Sequence, residues 1–369
     1  MRVVAILGTR PEVIKLAPVI SELRRTPGTE TVVVASGQHR ELLEQMLVQF
    51  EITPDIDLGV MHPEQRLCDL TADLVRGLGE TLAAIRPDWV VVQGDTSTTL
   101  CGALAAFYQA IPVAHVEAGL RSGDDRAPFP EEVNRKLVSS IASLHLCPTR
   151  GSAENLLNEA VPGERVLVTG NTVIDALLWA VERARLVPPP VPRTRPRCIL
   201  LTVHRRENHG GGLRDVCRAV RRLARRPDTE IVFPVHHNPA VRDVVLSRLA
   251  GVDGVHLCEP FDYLSLVSVL DSCDLVLTDS GGLQEEAPAL GKPVLVVRDT
   301  TERPEAVEAG VARLVGTNPD AIVGAVEALL EDPATYAAMA HPENPFGDGL
   351  ASRRIVRRLL EQCGLSAAA

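Results

Sequence analysis

The chain has 369 residues, 45% apolar and 23% charged, with a formal net charge of −10. That length accommodates two domains of ordinary size. The acidic balance argues against a general nucleic-acid or anionic-membrane binder, and no apolar run approaches the roughly 20 residues needed to insert across a bilayer.

Short continuous apolar runs alternate with longer amphipathic segments from end to end. The first run, Val3–Leu7, is too short for a signal peptide and meets polar Thr9-Arg10-Pro11-Glu12 at once, so it reads as a β-strand. Further strands are expected at Thr31–Ala35, Trp89–Gln93, Val113–Val116, Leu144–Cys147 and Val166–Thr169. After Pro188-Pro189-Pro190-Val191-Pro192 a second set follows at Cys198–Val203, Glu230–Val235, Val255–Cys258, Leu275–Thr278, Val294–Val297 and Ala312–Val315. Helical patterns lie between them, including Pro11–Arg25, Glu64–Ile85, Val173–Arg185, Leu213–Arg226 and Asp320–Leu330.

Strands buried on both faces and separated by helices predict an α/β fold of two doubly wound parallel sheets. The first domain is expected over 1–170 and the second over 171–349, with the proline tract as a stiff linker candidate. The amphipathic segment Ala351–Cys363, within 350–365, is expected to cross back and brace the first domain. Ligands of such sheets lie beyond the carboxyl ends of the strands, so the interdomain cleft is the expected site. Eight scattered cysteines contain no C-x-x-C pair, which suggests neither a zinc knuckle nor a redox pair and fits reduced thiols in the cytoplasm. No metal site is expected.

The polar clusters fall at the predicted strand ends. Pro11 suits the first helical position, and Arg10 with Lys15 one turn later would form a cationic mouth for a diphosphate; the plainer reading is an exposed turn with a solvated lysine. Asp95 and Glu117 end neighbouring strands, and Glu131 follows in Phe129-Pro130-Glu131-Glu132. Three carboxylates beside a cationic site suit proton transfer, since crowding raises at least one carboxyl pKa. Against that stand helix capping by Asp95 and surface i,i+4 pairs joining Glu131 to Arg135 and Glu132 to Lys136. His204 and Arg205 form a second anion-binding cluster, while His236 and His237, adjacent in an extended segment, point to opposite sides. The densest motif is Asp279-Ser280-Gly281-Gly282. There a strand ends, a helix begins, and free N–H groups welcome an anion, with Glu286 placed for ribose hydroxyls and Arg298 and Arg303 delivered by the next strand.

Together Gly8-Thr9-Arg10-Pro11-Glu12, Gly94-Asp95-Thr96, His115-Val116-Glu117-Ala118-Gly119, Pro130-Glu131-Glu132, Thr169-Gly170-Asn171-Thr172, His204-Arg205-Arg206-Glu207, Asp279-Ser280-Gly281-Gly282 and Arg298 to Glu305 resemble the non-hydrolysing UDP-N-acetylglucosamine 2-epimerases of bacteria, in order from Arg2 to about Gly349. The resemblance implies two Rossmann-like domains in a GT-B-like arrangement, a homodimer, a UDP-sugar substrate and no redox cofactor. It further implies that Asp95, Glu117 and Glu131 form the acid/base set and that His204 assists the diphosphate. Arg10, Lys15, Arg205 and His236 would line the site, Ser280, Gly281 and Gly282 would hold phosphate, Glu286 the ribose and Arg303 the sugar or its loop. Phe261 stands where base stacking is expected, although Ser265-Leu266 follow where relatives often carry an aromatic residue. Gln38 and His39 match a second-site segment of relatives activated by substrate, while Glu64-Gln65 replaces an arginine those relatives carry nearby. A hydrolysing epimerase, a GT-B glycosyltransferase and a nucleotide-sugar sensor remain the alternatives.

Overall fold

The computed structural model describes residues 1–37, 40–62, 64–341 and 344–365. They form two units, Met1–Ala176 joined by the stretch from Phe346 onward, and Leu177–Pro345.

In the first unit, β1 (Arg2–Leu7), β2 (Glu30–Ala35), β3 (Ile56–Asp57), β4 (Trp89–Gln93), β5 (Val113–Val116), β6 (Leu144–Cys147) and β7 (Val166–Val168) make one sheet ordered β3-β2-β1-β4-β5-β6-β7. Every pairing is parallel, as in Val3 beside Trp89 and Val92 beside His115. The central strands are apolar on both faces because helices cover both. Leu70, Leu74, Leu78 and Leu82 of α3 (Leu67–Ile85) fall on one stripe at helical spacing and pack with Val4, Ile6, Val90 and Val92. The helices α1 (Arg10–Arg25), α4 (Ser97–Tyr108), α5 (Glu131–Ile141) and α6 (Arg150–Asn158) follow β1, β4, β5 and β6, and α7 (Thr172–Ala184) starts after β7 and continues past the unit boundary at Ala176. The C-terminal helix, Ala351–Gln362, packs on α1. Its first turn is capped by buried Asp175, which accepts from Ala351 N at 3.2 Å, Ser352 N at 2.8 Å and Ser352 Oγ at 2.6 Å.

The second unit contains β8 (Arg197–Thr202), β9 (Thr229–Pro234), β10 (Val255–Cys258), β11 (Leu275–Thr278), β12 (Val294–Val296) and β13 (Ala312–Leu314), ordered β10-β9-β8-β11-β12-β13 and again parallel. Its core joins Ile199, Leu201, Phe233, Leu275, Leu277 and Leu295 to helical Leu213, Val216, Val220 and Ile322. The tract Pro188–Pro192 lies inside this unit, and the residues just after it are fastened there: Arg193 to Asp274, Thr194 to buried Glu230.

Both sheets reverse strand order once, between β1 and β4 and between β8 and β11. At such a switch point the flanking chains leave in opposite directions and a crevice opens at the strands' carboxyl ends. Gly8 and Asp95 follow β1 and β4, while His204 and Asp279 follow β8 and β11.

Candidate functional site

In the first unit the turn after β1 is built around a carboxylate. Glu12 is buried and accepts from Gly8 N at 2.9 Å, Thr96 Oγ1 at 2.8 Å and Thr99 Oγ1 at 3.1 Å, tying the exits of β1 and β4 together. Burial pushes its pKa up, and these donors oppose the rise. A Cβ on Gly8 would overlap the Thr98 and Ser36 hydroxyls, so only glycine lets the turn close. Arg10 is the first helical residue and Pro11 the second; Arg10 is exposed. Lys15 turns inward to Glu117.

Glu117 leaves β5 with φ of 62°, a left-handed conformation that disfavours a side chain and marks a constrained exit. Its carboxylate is gripped by Lys15 Nζ and Gln93 Nε2, with Asn171 Nδ2 at 3.2 Å. Beneath it His115 is buried, donates Nε2–H to the Gly94 carbonyl at 2.7 Å, and is held neutral by burial with its pKa pushed down to about 3. That bond braces the Gly94-Asp95 turn.

Asp95 does not cap α4. Thr96 does, its hydroxyl accepting from Thr99 N at 3.1 Å. The Asp95 carboxylate is instead paired with Arg135, and its backbone carbonyl accepts from Asn134 Nδ2 at 2.8 Å. Burial raises the Asp95 pKa; Arg135 opposes this, Glu117 adds to it, and Lys15 opposes it. Glu131 opens α5, and one of its oxygens, Oε2, is buried with no hydrogen-bond partner among the described residues.

Of the two i,i+4 pairs expected on the surface of α5, Glu132 with Lys136 forms among the described residues, but from a buried carboxylate. Arg135 goes to Asp95 and Glu132, and Glu132 is fully buried. Glu132 does meet Lys136 at 3.7 Å, but its main work is to accept from Ser122 N at 3.1 Å and to pair with Arg135 Nη1 at 3.1 Å. A burial-driven network thus replaces a solvated face.

In the second unit Asp279 is the anchor. It is fully buried and accepts from His204 N at 3.0 Å, Arg205 N at 2.9 Å and Asn208 Nδ2 at 2.9 Å, so the loop after β8 hangs on the end of β11. His204 Nδ1 lies 3.4 Å from the same carboxylate, and its ring stacks on His236 with centroids 5.9 Å apart. His236 Nδ1 accepts from Asn238 N at 3.0 Å, whereas His237 faces Glu259 at 3.6 Å, as alternation in an extended segment predicts.

Helix α11 (Gly281–Ala289) starts immediately after Ser280, its N-cap. The guanidinium groups of Arg205 and Arg303 come within 3.5 and 3.8 Å of where a Cβ on Gly281 would stand, so two cations overlook the open N–H groups of this helix end. Arg303 is paired with buried Glu285, and Arg205 with Glu302 at 3.1 Å. Glu286 hangs beside the same first turn, its Oε1 accepting from the buried Tyr263 hydroxyl at 3.2 Å. Arg298 is buried and paired with Glu207 and, at 3.4 Å, with Glu302. Phe261 is partly exposed just before Asp262, the cap of α10 (Tyr263–Ser272). Gln38 and His39 lie outside the described residues.

The structure therefore gathers Lys15, Asp95, Glu117 and Arg135 in one unit, and His204, Arg205, Ser280 to Gly282, Glu286 and Arg303 in the other. Gln93, Asn171 and Arg135 were not among the expected site residues; only their motifs, not their spacing, could have marked them. Among the described residues no group of three or more His, Cys, Asp or Glu is placed to hold a metal ion, and no helix is long and apolar enough to cross a membrane.

The family model described as UDP-N-acetylglucosamine 2-epimerase matches residues 21–360. The chain belongs to the UDP-N-acetylglucosamine 2-epimerase family. A Ralstonia nicotianae relative named "Probable UDP-N-acetylglucosamine 2-epimerase" is 50% identical, the match covering 97% of this chain and 98% of that one. The Escherichia coli UDP-N-acetylglucosamine 2-epimerase is 49% identical, with 97% and 98% covered. Among solved structures, the Neisseria meningitidis UDP-GlcNAc 2-epimerase bound to UDP-GlcNAc superposes with a TM-score of 0.89 at 46% identity, covering 98% of this chain and 100% of that one. The α/β architecture of two parallel sheets is that of a GT-B-like epimerase.

Proposed function

We propose that this epimerase interconverts UDP-GlcNAc and UDP-ManNAc without net hydrolysis. A base takes the C2 proton as the C1–O bond to UDP breaks, giving 2-acetamidoglucal. The intermediate is then protonated at C2 on the opposite face, and UDP oxygen returns to C1. Atoms balance without an oxidant, so no redox cofactor is needed.

The observation that carries this reading is the unequal treatment of the carboxylates in the first unit. Glu117 is fixed by a lysine and two amides, Asp95 is raised by burial while paired with Arg135, and Glu131 keeps a buried oxygen with no partner among the described residues. Carboxyls in different environments suit one set of groups that must both remove and deliver a proton. In the second unit, the α11 N-terminus with Arg205, Arg303 and His204 would hold the diphosphate, and Glu286 the ribose. Positive charge there lowers the cost of UDP departure and keeps the leaving group for its return.

Incubation with UDP-GlcNAc in D₂O, followed by NMR, tests the reading. Deuterium at C2 with UDP still attached is expected. Free ManNAc would instead identify a hydrolysing epimerase, and no exchange would point to a transferase or sensor. A cytoplasmic homodimer is part of the same proposal. Phe107 and Tyr108, exposed at the end of α4, which packs on α5, support the dimer; sedimentation and cell fractionation test its two halves.

A further inference from the structure

Arg135 is a largely buried cation that the proposed chemistry leaves without a task. Its side chain is only 12% exposed and spans two carboxylates from different segments, Asp95 through Nη2 and Glu132 through Nη1 at 3.1 Å. Its Nε is buried with no partner among the described residues. The adjacent Asn134 holds the Asp95 carbonyl at 2.8 Å, and Glu132 accepts from Ser122 N at 3.1 Å and Gly123 N at 3.4 Å. One turn of α5 therefore grips Asp95 by backbone and side chain, and grips the loop that follows Glu117.

We propose that Arg135 is a positioning residue that fixes the rotamer and the charge of Asp95 and, through Glu132, ties Asp95 to the loop at 121–123. Its consequence for catalysis rests on the epimerase reading; its control of Asp95 does not. Three neighbours act on Asp95 besides burial: Arg135 from α5, Glu117 from the end of β5 and Lys15 from α1. Glu131 and Glu132, both in the first turn of α5, and Lys136, which pairs with Glu132, are further charged groups on that helix. With Arg135 removed, burial and Glu117 push the Asp95 pKa up against Lys15 alone.

The test is carboxyl-¹³C NMR of protein labelled at aspartate, with the Asp95 signal assigned by its loss in Asp95→Asn. In Arg135→Met the Asp95 titration midpoint is expected to rise by roughly 1–3 units. In Arg135→Lys, which keeps the charge but loses the two-sided fork, it is expected to stay close to wild type. Should Arg135→Met fail to fold, Arg135→Gln, a donor without charge, takes its place with the same upward shift. In the epimerisation assay kcat falls in each variant and KM for UDP-GlcNAc is unchanged. An unmoved Asp95 midpoint overturns the proposal whatever the activity, and a raised KM with unchanged kcat overturns it by assigning Arg135 to substrate binding. Absence of C2 exchange in the wild type counts against the epimerase reading instead, and the titration still decides Arg135.

Discussion

Replacing Asp279 by asparagine keeps the shape of the side chain and removes its charge. Asp279 Oδ2 accepts from His204 N at 3.0 Å, Arg205 N at 2.9 Å and Asn208 Nδ2 at 2.9 Å, while Oδ1 takes His204 N at 3.1 Å. A hydrogen bond to a charged acceptor contributes about 1.5–3 kcal/mol and a neutral one about 0.5–1.5 kcal/mol, so each of these three donors loses roughly 1 kcal/mol. The asparagine NH₂, wherever it is turned, also faces a backbone donor. The expected loss is about 3 kcal/mol of stability, which lowers Tm by roughly 6–12 °C at 2–4 °C per kcal/mol. His204 and Arg205 ride on the released loop. Part of its ordering must then be restored when a diphosphate binds, and UDP affinity is expected to fall about 10- to 100-fold, or about 1.4–2.8 kcal/mol. Titration calorimetry with UDP, well below Tm, reads this directly. An unchanged Kd with a lowered Tm would remove the loop from the UDP site, and no change in either would refute the role of Asp279 as its anchor.

Three further outcomes follow from the first unit. Asp95→Asn, Glu117→Gln and Glu131→Gln are each expected to lower turnover by about 100-fold or more with circular dichroism intact; wild-type rates would sink the acid/base assignment. Glu132→Ala strips a buried partner from Arg135 and should cost about 3–5 kcal/mol in urea unfolding, so a loss below about 1 kcal/mol, the size of an exposed pair, would count against the buried network. His115 stays neutral in the fold to about pH 3, against an ordinary 6.5. The unfolded chain therefore binds the extra proton, and stability is full above 6.5 and falls on the way down, by about 2 kcal/mol at pH 5. Buried His145, pushed down to about 4, adds to the same slope. Urea unfolding at pH 7 and pH 5 measures it, and His115→Asn should make the slope shallower.

The central strands were legible because they are buried on both faces, so continuous apolar runs survive without alternation. β3, two residues on a sheet edge, carries no such run and was not anticipated. The candidate residues were legible as a consequence of topology: at a switch point the turns are polar because they face the crevice. Their partners were not. Lys15 lies 102 residues from Glu117, and nothing in the local pattern around Ile14-Lys15-Leu16 says whether its ammonium reaches solvent, a diphosphate or a carboxylate. Likewise i,i+4 spacing joins Glu132 to Lys136 on a solvated helix and on a buried one alike; only packing of α5 against α4 decides.

The buried carboxylates sort by how fully they are satisfied. Glu12, Glu132 and Asp279 each accept several backbone or side-chain donors that belong to turns, and their carboxylates are committed to holding those turns together. Their sequence motifs look the same as those of the reactive groups. Asp95 and Glu131 differ in keeping capacity: Asp95 is held through one cation and its own carbonyl, and Glu131 keeps a buried oxygen with no partner among the described residues. An unsatisfied buried carboxylate oxygen costs stability, and such a cost persists where a ligand supplies the missing partner. Glu117 stands between the two classes, since Lys15, Gln93 and Asn171 hold it and its left-handed backbone aims it. A carboxylate so fixed is preorganised for one direction of approach, whereas Asp95 is tuned through its neighbours. Inverting a carbon in place needs both kinds, because the two faces of C2 must meet different groups.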